Sequence, residues 1–261
     1  MKYKSLLNKA VVVVLAAMFF SCANKQEVVY YQNIEEVALA QKASSYEVKI
    51  QADDLLSIIV SAEDQEIAAP FNLMSVRMAS TTNLSAIGGQ ESMQLYLVDA
   101  TGAIDFPVLG KLQIGGLTRT EVLSLFKEKI GRYIKNPIIN IRITNFKVSL
   151  QGEVNAPGSY TINSERITLI EALALGKDLT IYGKRDNLLI IREVNGVKSF
   201  NRVDITKADF INSPFYYLAQ NDVVYVEPNK PRVNASAVGP NTGVLISITS
   251  LLITLVTLIL R

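Results

Sequence analysis

Few groups of side chains in this 261-residue chain have types and spacing that could carry out chemistry. The sequence has no His and no Trp, and Cys22 is its one Cys. Because His is the commonest general base and a frequent metal ligand, an enzyme of this composition would depend on carboxylates, Lys, Tyr or Ser. A metal site built from several thiolates is excluded. The net charge of +2 predicts no electrostatic attraction to nucleic acid.

The remaining candidates have simple structural interpretations beside the chemical ones. Asp53 and Asp54 could be a catalytic pair, but we favour a β-turn in which an Asp side chain bonds the local backbone. The run 184–186 (Lys-Arg-Asp) could contact an acidic polymer, although a solvated turn is the simpler interpretation. The tyrosine pairs at 30–31 and 216–217 could stack on sugars, or they could be buried in strands or an interface. No motif for nucleotide binding, metal binding or covalent catalysis is present, so we predict a protein that is not an enzyme and has no cofactor.

The N-terminus has the pattern of an export signal. Three Lys residues precede a short apolar run at 10–20, which has the length of a signal-peptide core. Cys22 follows at once, and a lone Cys cannot form an internal disulfide. Its position resembles the lipobox of bacterial lipoproteins, in which the Cys is acylated, although Phe19 stands where Leu is usual. We therefore predict lipid attachment at Cys22, with an ordinary signal peptide and an incidental Cys as the alternative.

The last residues, 243–260, form an apolar stretch without charge. As a helix, eighteen residues would reach about 27 Å, close to the roughly 30 Å of a hydrocarbon core. Small or hydroxylated side chains recur along one face at spacings of three and four, while the opposite face is aliphatic. The residues of this stripe are Gly243, Ser247, Ser250, Thr254, Thr257 and Arg261.

Three interpretations of this stretch remain open at this point. The stripe could be a packing surface between membrane helices, which small and hydroxylated residues suit. Alternatively, several copies could form a ring whose wet lumen is lined by Ser247, Ser250, Thr254 and Thr257. A helix buried in a soluble core is the third interpretation. We predict a transmembrane helix at 243–260.

Between the two ends, the pattern predicts an α+β protein with two units. In the first, a strand, turn and strand at 46–60 precede a weakly patterned insertion at 61–90. A helix should begin after Thr118, where Glu121 completes a capping box, and run to about Tyr133. A strand follows at 138–143.

The second unit should contain more strands and one short helix. Hairpins are predicted at 148–162, around Pro157 and Gly158, and at 188–203, around Asn195 and Gly196. Thr168 should cap the helix, with Glu171 at the capping-box position, and the last strand should end near Val226.

Residues 46–143 resemble the polysaccharide export domain of Wza-like capsule and exopolysaccharide exporters. The shared marks, in order, are Ile104, Pro107, Gly110, Gly116, Leu117, Thr118 and Glu121. Ala52-Asp53 stands where the family usually has Gly-Asp. The region after Lys147 resembles the SLBB domain, a β-grasp fold whose name means soluble ligand-binding. That likeness depends on Gly152-Glu153-Val154, Pro157-Gly158 and Asn221-Asp222-Val223; at 175–177, Leu-Gly-Lys replaces the usual Ala-Gly-Gly.

These resemblances imply a complete domain organisation. It is a signal peptide (1–21), a lipid-anchored tether (22–45), the export domain (46–145), the SLBB domain (146–228), a linker (229–242) and the transmembrane helix (243–260). They imply an outer-membrane lipoprotein, with most of its chain in the periplasm, that forms a homo-oligomeric ring and exports polysaccharide through a pore of terminal helices.

The expected partners are other copies of the chain, an inner-membrane polysaccharide co-polymerase, the polysaccharide and membrane lipid. The alternative is a periplasmic lipoprotein that binds glycan or a partner as a structural module without a pore. A glycan-cleaving enzyme that uses carboxylates is a third hypothesis.

Overall fold

The computed structural model describes residues 25–37, 47–77, 90–194, 196–237 and 242–259. The predicted signal peptide, Cys22, Tyr46, Asn195 and Arg261 therefore lie outside the described residues, as does part of the 61–90 insertion. Within these ranges the chain is a mixed α+β protein, as predicted, with two hydrophobic clusters. The first is formed by residues between Ile50 and Ile141, and the second by residues between Phe146 and Val226.

The first unit has seven strands: β1 (Leu55–Ser61), β2 (Met74–Arg77), β3 (Gln90–Met93), β4 (Leu95–Leu97), β5 (Ala103–Phe106), β6 (Gly110–Gln113) and β7 (Ile138–Ile143). Three of them form an antiparallel sheet in the order β4-β1-β7. The other four form two antiparallel pairs, β2 with β3 and β5 with β6. The helices are α1 (Gln65–Ala68), a 3₁₀ turn (Ala69–Phe71) and α2 (Arg119–Ile130).

Helix α2 begins where its sequence signal places it. The Thr118 hydroxyl accepts the Glu121 N–H at 3.2 Å, and the Glu121 carboxylate accepts the Thr118 N–H at 2.7 Å. This reciprocal pair satisfies two of the free N–H groups at the helix start. Phe126 is fully buried and packs edge-on against Phe106, with ring centroids 4.9 Å apart. The helix ends at Ile130, three residues earlier than predicted, because a turn begins at Gly131.

The second unit has seven strands: β8 (Lys147–Gly152), β9 (Gly158–Thr161), β10 (Ile167–Thr168), β11 (Leu188–Val194), β12 (Val197–Val203), β13 (Tyr217–Leu218) and β14 (Val223–Val226). Five of them form a mixed sheet in the order β12-β11-β14-β8-β9, in which the pair β14–β8 is parallel and the other pairs are antiparallel. Strands β10 and β13 form a separate antiparallel pair. Helix α3 (Leu169–Leu175) begins with the predicted capping box of Thr168 and Glu171, and a 3₁₀ helix spans Ala208–Asn212.

Two residues at the boundary join the units by hydrogen bonds. The Asn145 side chain accepts the Leu55 N–H at 2.9 Å and donates to the Asp53 carbonyl at 2.8 Å. The Gln220 side chain donates to the Asn145 carbonyl at 2.8 Å and accepts the Lys147 N–H at 2.7 Å. The Asn145 amide thus binds the end of the first unit to that unit's own backbone, and the Gln220 amide joins the second unit to Asn145.

The prediction of a strand at 46–50 is wrong for its described residues, 47–50, where an isolated β-bridge between Lys49 and Thr118 takes the place of a strand. Ile50 instead exchanges backbone hydrogen bonds with the loop before α2, donating to Leu117 and accepting from Gly116. Because Ile50 pairs with a loop, these hydrogen bonds do not extend into a β-ladder.

The predicted linker at 229–242 contains a helix, α4 (Lys230–Ala237). The Asn229 side chain accepts the Arg232 N–H at 3.1 Å and so caps the helix start. Pro231 lies in the first turn, where its missing N–H removes no helical hydrogen bond. Asn229 and Pro231, which are residue types typical of a linker, therefore mark the start of a helix here.

Part of the predicted tether is docked on the second unit. Gln32 donates its N–H to the Thr206 carbonyl at 2.8 Å. The Asn33 side chain accepts the Ala208 N–H at 2.6 Å and donates to Asp209 at 3.0 Å. Residues 25–37 therefore follow the surface of the second unit rather than extending away from it.

The terminal helix α5 (Thr242–Ile259) occupies the predicted stretch, but its assignment as a membrane span requires correction. Among the helices of the described ranges, none combines the length and the apolar character needed to cross a membrane. The 18 residues of α5 reach about 27 Å, so the helix comes close to the roughly 30 Å thickness of a hydrocarbon core without reaching across it.

Candidate functional site

The hydroxyls of the α5 stripe bond to the backbone of their own helix. Ser247 donates to the Gly243 carbonyl at 2.9 Å, Ser250 to the Ser247 carbonyl at 2.9 Å and Thr254 to the Ser250 carbonyl at 2.8 Å. Such bonds use the single O–H donor and leave the oxygen lone pairs as acceptors. The stripe therefore offers water and sugars acceptors more than donors, a property that residue spacing alone does not reveal. Thr257 belongs to the same helix.

The other side of α5 is uncovered in a single copy of the chain. Eight of its aliphatic side chains are between 49% and 73% exposed: Val244, Ile246, Ile248, Leu251, Leu252, Ile253, Leu255 and Leu258. A continuous apolar surface of this kind is rare on a monomeric soluble protein and marks contact with lipid or with another chain.

The tyrosine pairs are packed into the second unit and are not arranged as a free stacking platform. Tyr30 donates its hydroxyl to Asp178 at 2.7 Å and lies under the Arg185 guanidinium, 5.5 Å from the ring centroid. Burial, with the hydrogen bond to Asp178, raises the pKa of Tyr30 above its ordinary value. Tyr31 packs on Phe210 with centroids 5.6 Å apart. The structure therefore favours burial of these tyrosines over a role in stacking on sugars.

Arg185 is the clearest departure from expectation among the charged residues. The run 184–186 is expected to form a solvated turn, yet Arg185 is only 6% exposed. Its guanidinium donates to the carbonyls of Gly183 and Thr180 at 2.9 and 3.3 Å. The docked Tyr30 closes over it, so burial results from a segment far away in sequence.

Asp53 and Asp54 form the predicted turn and no catalytic pair. The Asp54 carboxylate is fully buried and accepts the Gln51 N–H at 2.8 Å, while Asp53 is exposed with a φ of 67°. Burial raises the pKa of Asp54 to about 6. A carboxylate without solvent access cannot reach a substrate. Over the described ranges, no group of three or more His, Cys, Asp or Glu side chains could hold a metal ion.

A cleft of about 540 Å³, called here the inter-unit cleft, opens where the two units meet. Its charged and polar lining includes Glu47, Arg119, Thr120, Arg142, Glu165 and Arg166. The volume falls in the range of small-molecule sites in proteins, about 300–1,000 Å³. Sequence reasoning missed this cleft, because its residues come from four separate stretches and share no local motif.

Comparison with known proteins supports an assignment for the first unit. Residues 42–144 match the family described as polysaccharide biosynthesis/export protein. An EPS I polysaccharide export outer membrane protein, EpsA, of Ralstonia nicotianae is 33% identical over 146 residues, or 55% of this chain and 37% of the relative. The protein of the same name from Ralstonia solanacearum is 28% identical over 219 residues, or 81% of this chain and 56% of the relative.

The chain thus aligns with between 37% and 56% of the length of these two curated relatives. The matched segment contains the capped helix α2 and the whole β4-β1-β7 sheet of the first unit. From that match and the two similarities, residues 42–144 are assigned to the Wza-like family of polysaccharide biosynthesis/export proteins.

Proposed function

We propose that this protein takes part in polysaccharide export at the outer membrane of a Gram-negative-type bacterium, as a transport component and not as an enzyme. The observation that carries the proposal is the family match over 42–144, together with two relatives named as polysaccharide export outer membrane proteins. The burial of Asp54 adds support, because it removes the strongest candidate for carboxylate catalysis.

The finer proposal is that several copies form a ring and that their α5 helices surround a hydrated conduit. Ser247, Ser250, Thr254 and Thr257 would face the lumen, and the aliphatic side would face away from it. Hydroxyl oxygens that offer acceptors can hold water without binding sugar tightly, and a conduit must release what it admits.

We further propose that Cys22 carries the lipid that holds the protein at the outer membrane. In support, Tyr30 contacts Asp178 of the second unit and follows Cys22 by only eight residues, so an anchored end would lie close to that unit. An inner-membrane polysaccharide co-polymerase is the proposed partner that delivers the polymer. Residues 146–228 are proposed to be an SLBB domain, with support from their mixed sheet and single packed helix.

Replacing Ser250 and Thr254 together by Leu tests the conduit. The variant should remain in the membrane fraction and lower the amount of polysaccharide at the cell surface, because bulky apolar side chains narrow and dry the lumen. Ile253→Leu, on the exposed aliphatic side, is the matched control and should leave export unchanged. Unaltered surface polysaccharide in the double variant would refute the lumen-facing assignment.

The second candidate function is a lipoprotein module that holds glycan or a partner without forming a pore. The observation that favours it is that no helix of the described ranges suffices to cross a membrane. Negative-stain images of the detergent-extracted protein separate the candidates, since rings support the conduit and single copies support the module.

A further inference from the structure

We propose that the inter-unit cleft binds a uronic acid residue, so that the exported polysaccharide is acidic; this inference rests on the proposed function. The cleft has walls from both units, and the Asn145 and Gln220 hydrogen bonds fix one unit against the other. A site whose walls are already fixed loses little entropy when a ligand enters, which suits a binding cleft.

Three guanidinium groups line the cleft, and two of them are held in place. Arg119 donates its Nε–H to the Ile141 carbonyl at 2.9 Å and lies 3.4 Å from Glu165. Arg166 lies over the Tyr217 ring, 5.2 Å from its centroid. A guanidinium oriented in this way keeps N–H groups at its edge, and its planar fork matches a carboxylate.

Arg142 is the third and is the one available without rearrangement. Its backbone belongs to β7 opposite Ser57, and its side chain is exposed. In the described part of the chain, its guanidinium has neither a hydrogen-bond acceptor nor an ion-pair partner. A carboxylate in the cleft would be the first partner of Arg142.

The acidic side chains of the lining define the other half of the ligand. Glu165 is 67% exposed and only loosely paired, and Glu47 accepts the Thr120 hydroxyl at 3.2 Å. Both carboxylates can accept further hydrogen bonds from hydroxyls. A ligand that carries a carboxylate and several hydroxyls on one ring satisfies both kinds of group. Uronic acids have this combination, whereas inorganic phosphate lacks the several ring hydroxyls that could reach both glutamates and a neutral sugar has no carboxylate for the arginines.

Binding should be weak, because the cleft is open and its charges are solvated. Exposed ion pairs contribute little each, so removing one should weaken binding about three- to fivefold. Weak binding also suits an export component, because the polymer must be released after it binds.

The test uses the full mature chain in detergent and ligand-observed NMR. The probes are a trimer of galacturonic acid, the galactose trimer of the same linkage, and inorganic phosphate. The acidic trimer should bind, the neutral one should bind at least about tenfold more weakly, and phosphate at equal concentration should not displace the acidic trimer. Arg142→Gln combined with Arg166→Gln should weaken acidic-trimer binding about tenfold. Arg132→Gln, an exposed arginine outside the lining, is the control and should change nothing.

Equal binding of the two trimers, displacement by phosphate, or undiminished binding in the double variant would each overturn the proposal. Unfolding temperatures that match among the three proteins confirm that the comparison is between folded chains. The assay needs no export, so its outcome is independent of the proposed function. Ring assembly and α5-dependent export without trimer binding would contradict this inference alone. Trimer binding without export would contradict the proposed function and the acidic nature of its cargo, and would leave the uronic acid site itself intact.

Discussion

Replacing Asp54 by Asn should change how the stability of this protein depends on pH. The Asp54 side chain is fully buried, and while one carboxylate oxygen accepts the Gln51 N–H at 2.8 Å, the other has no hydrogen-bond partner. Burial raises the pKa of this carboxyl from 3.8 to about 6, and the charge of Asp53 adds to the effect, although the Gln51 bond opposes it. An amide keeps the acceptor for Gln51 and removes the charge.

The sign follows from the two pKa values. Below about pH 4 the carboxyl is protonated in both the folded and the unfolded chain, so burial of a charge costs nothing. As the pH rises from about 4 to 6, the unfolded chain releases its proton first, and the free energy of unfolding falls. At about 1.4 kcal/mol per pH unit between the two pKa values, the loss reaches about 3 kcal/mol above pH 6.

The Asp54→Asn substitution carries its own cost, which does not depend on pH. The amide N–H₂ group would occupy the place of the unpaired oxygen and lack an acceptor, at about 1–3 kcal/mol. The net gain at pH 7 is therefore about 1 kcal/mol. The pH dependence is the larger effect. The free energy of unfolding of Asp54→Asn, minus that of wild type, should increase by about 3 kcal/mol from pH 4 to pH 7.

Urea unfolding of the mature chain in detergent, followed by circular dichroism at pH 4, 5, 6 and 7, measures this difference. Asp53→Asn is the matched control, since Asp53 is exposed and Asn tolerates its positive φ of 67°. The control should stay within about 0.5 kcal/mol of wild type. A difference between Asp54→Asn and wild type that stays constant from pH 4 to pH 7 would refute the argument that a buried charge is responsible.

Three further substitutions test the second unit by thermal or urea unfolding. Asp222→Ala should cost about 3–5 kcal/mol, because Asp222 is fully buried and paired with Arg192 at 2.6 Å, and its loss leaves that arginine without its carboxylate; a cost below about 1 kcal/mol would contradict this. Thr168→Ala should remove about 1 kcal/mol by deleting the α3 cap, and an unchanged midpoint would argue against it. Gly152→Ala should cost more than about 2 kcal/mol, because Gly152 has a φ of 85° and a Cβ there would collide with the Val226 carbonyl. Gly196→Ala is its control, with a positive φ but open space, and equal losses at the two sites would refute the collision.

Local signals are sufficient wherever a few neighbouring residues decide the structure. The capping boxes at Thr118 and Thr168 are predicted correctly, because both partners lie within four residues of each other. The β8–β9 hairpin at Pro157-Gly158 is also predicted correctly. In each case the hydrogen bonds or backbone angles involved are local, so tertiary context cannot easily override them.

Prediction fails where distant residues decide the structure. Arg185 is expected in solvent, but Tyr30, far earlier in the sequence, covers it. The inter-unit cleft brings together Glu47, Arg119, Arg142 and Arg166, which no spacing rule connects. The α5 stripe is evident from its periodicity, but periodicity does not show the bonds from its hydroxyls to the helix backbone, and these change what the stripe offers a ligand.

The docking of residues 25–37 determines where a mechanical load would enter the molecule. A pull applied upstream of Lys25 is first resisted by Tyr30 on Asp178, Gln32 on Thr206 and Asn33 on Asp209, all of them contacts with the second unit. The first unit follows later in the chain and bears none of that force until these contacts rupture. A membrane anchor near Cys22 would thus apply its force first to loops and the 3₁₀ helix of the second unit, and the first unit would carry none of it until those contacts break.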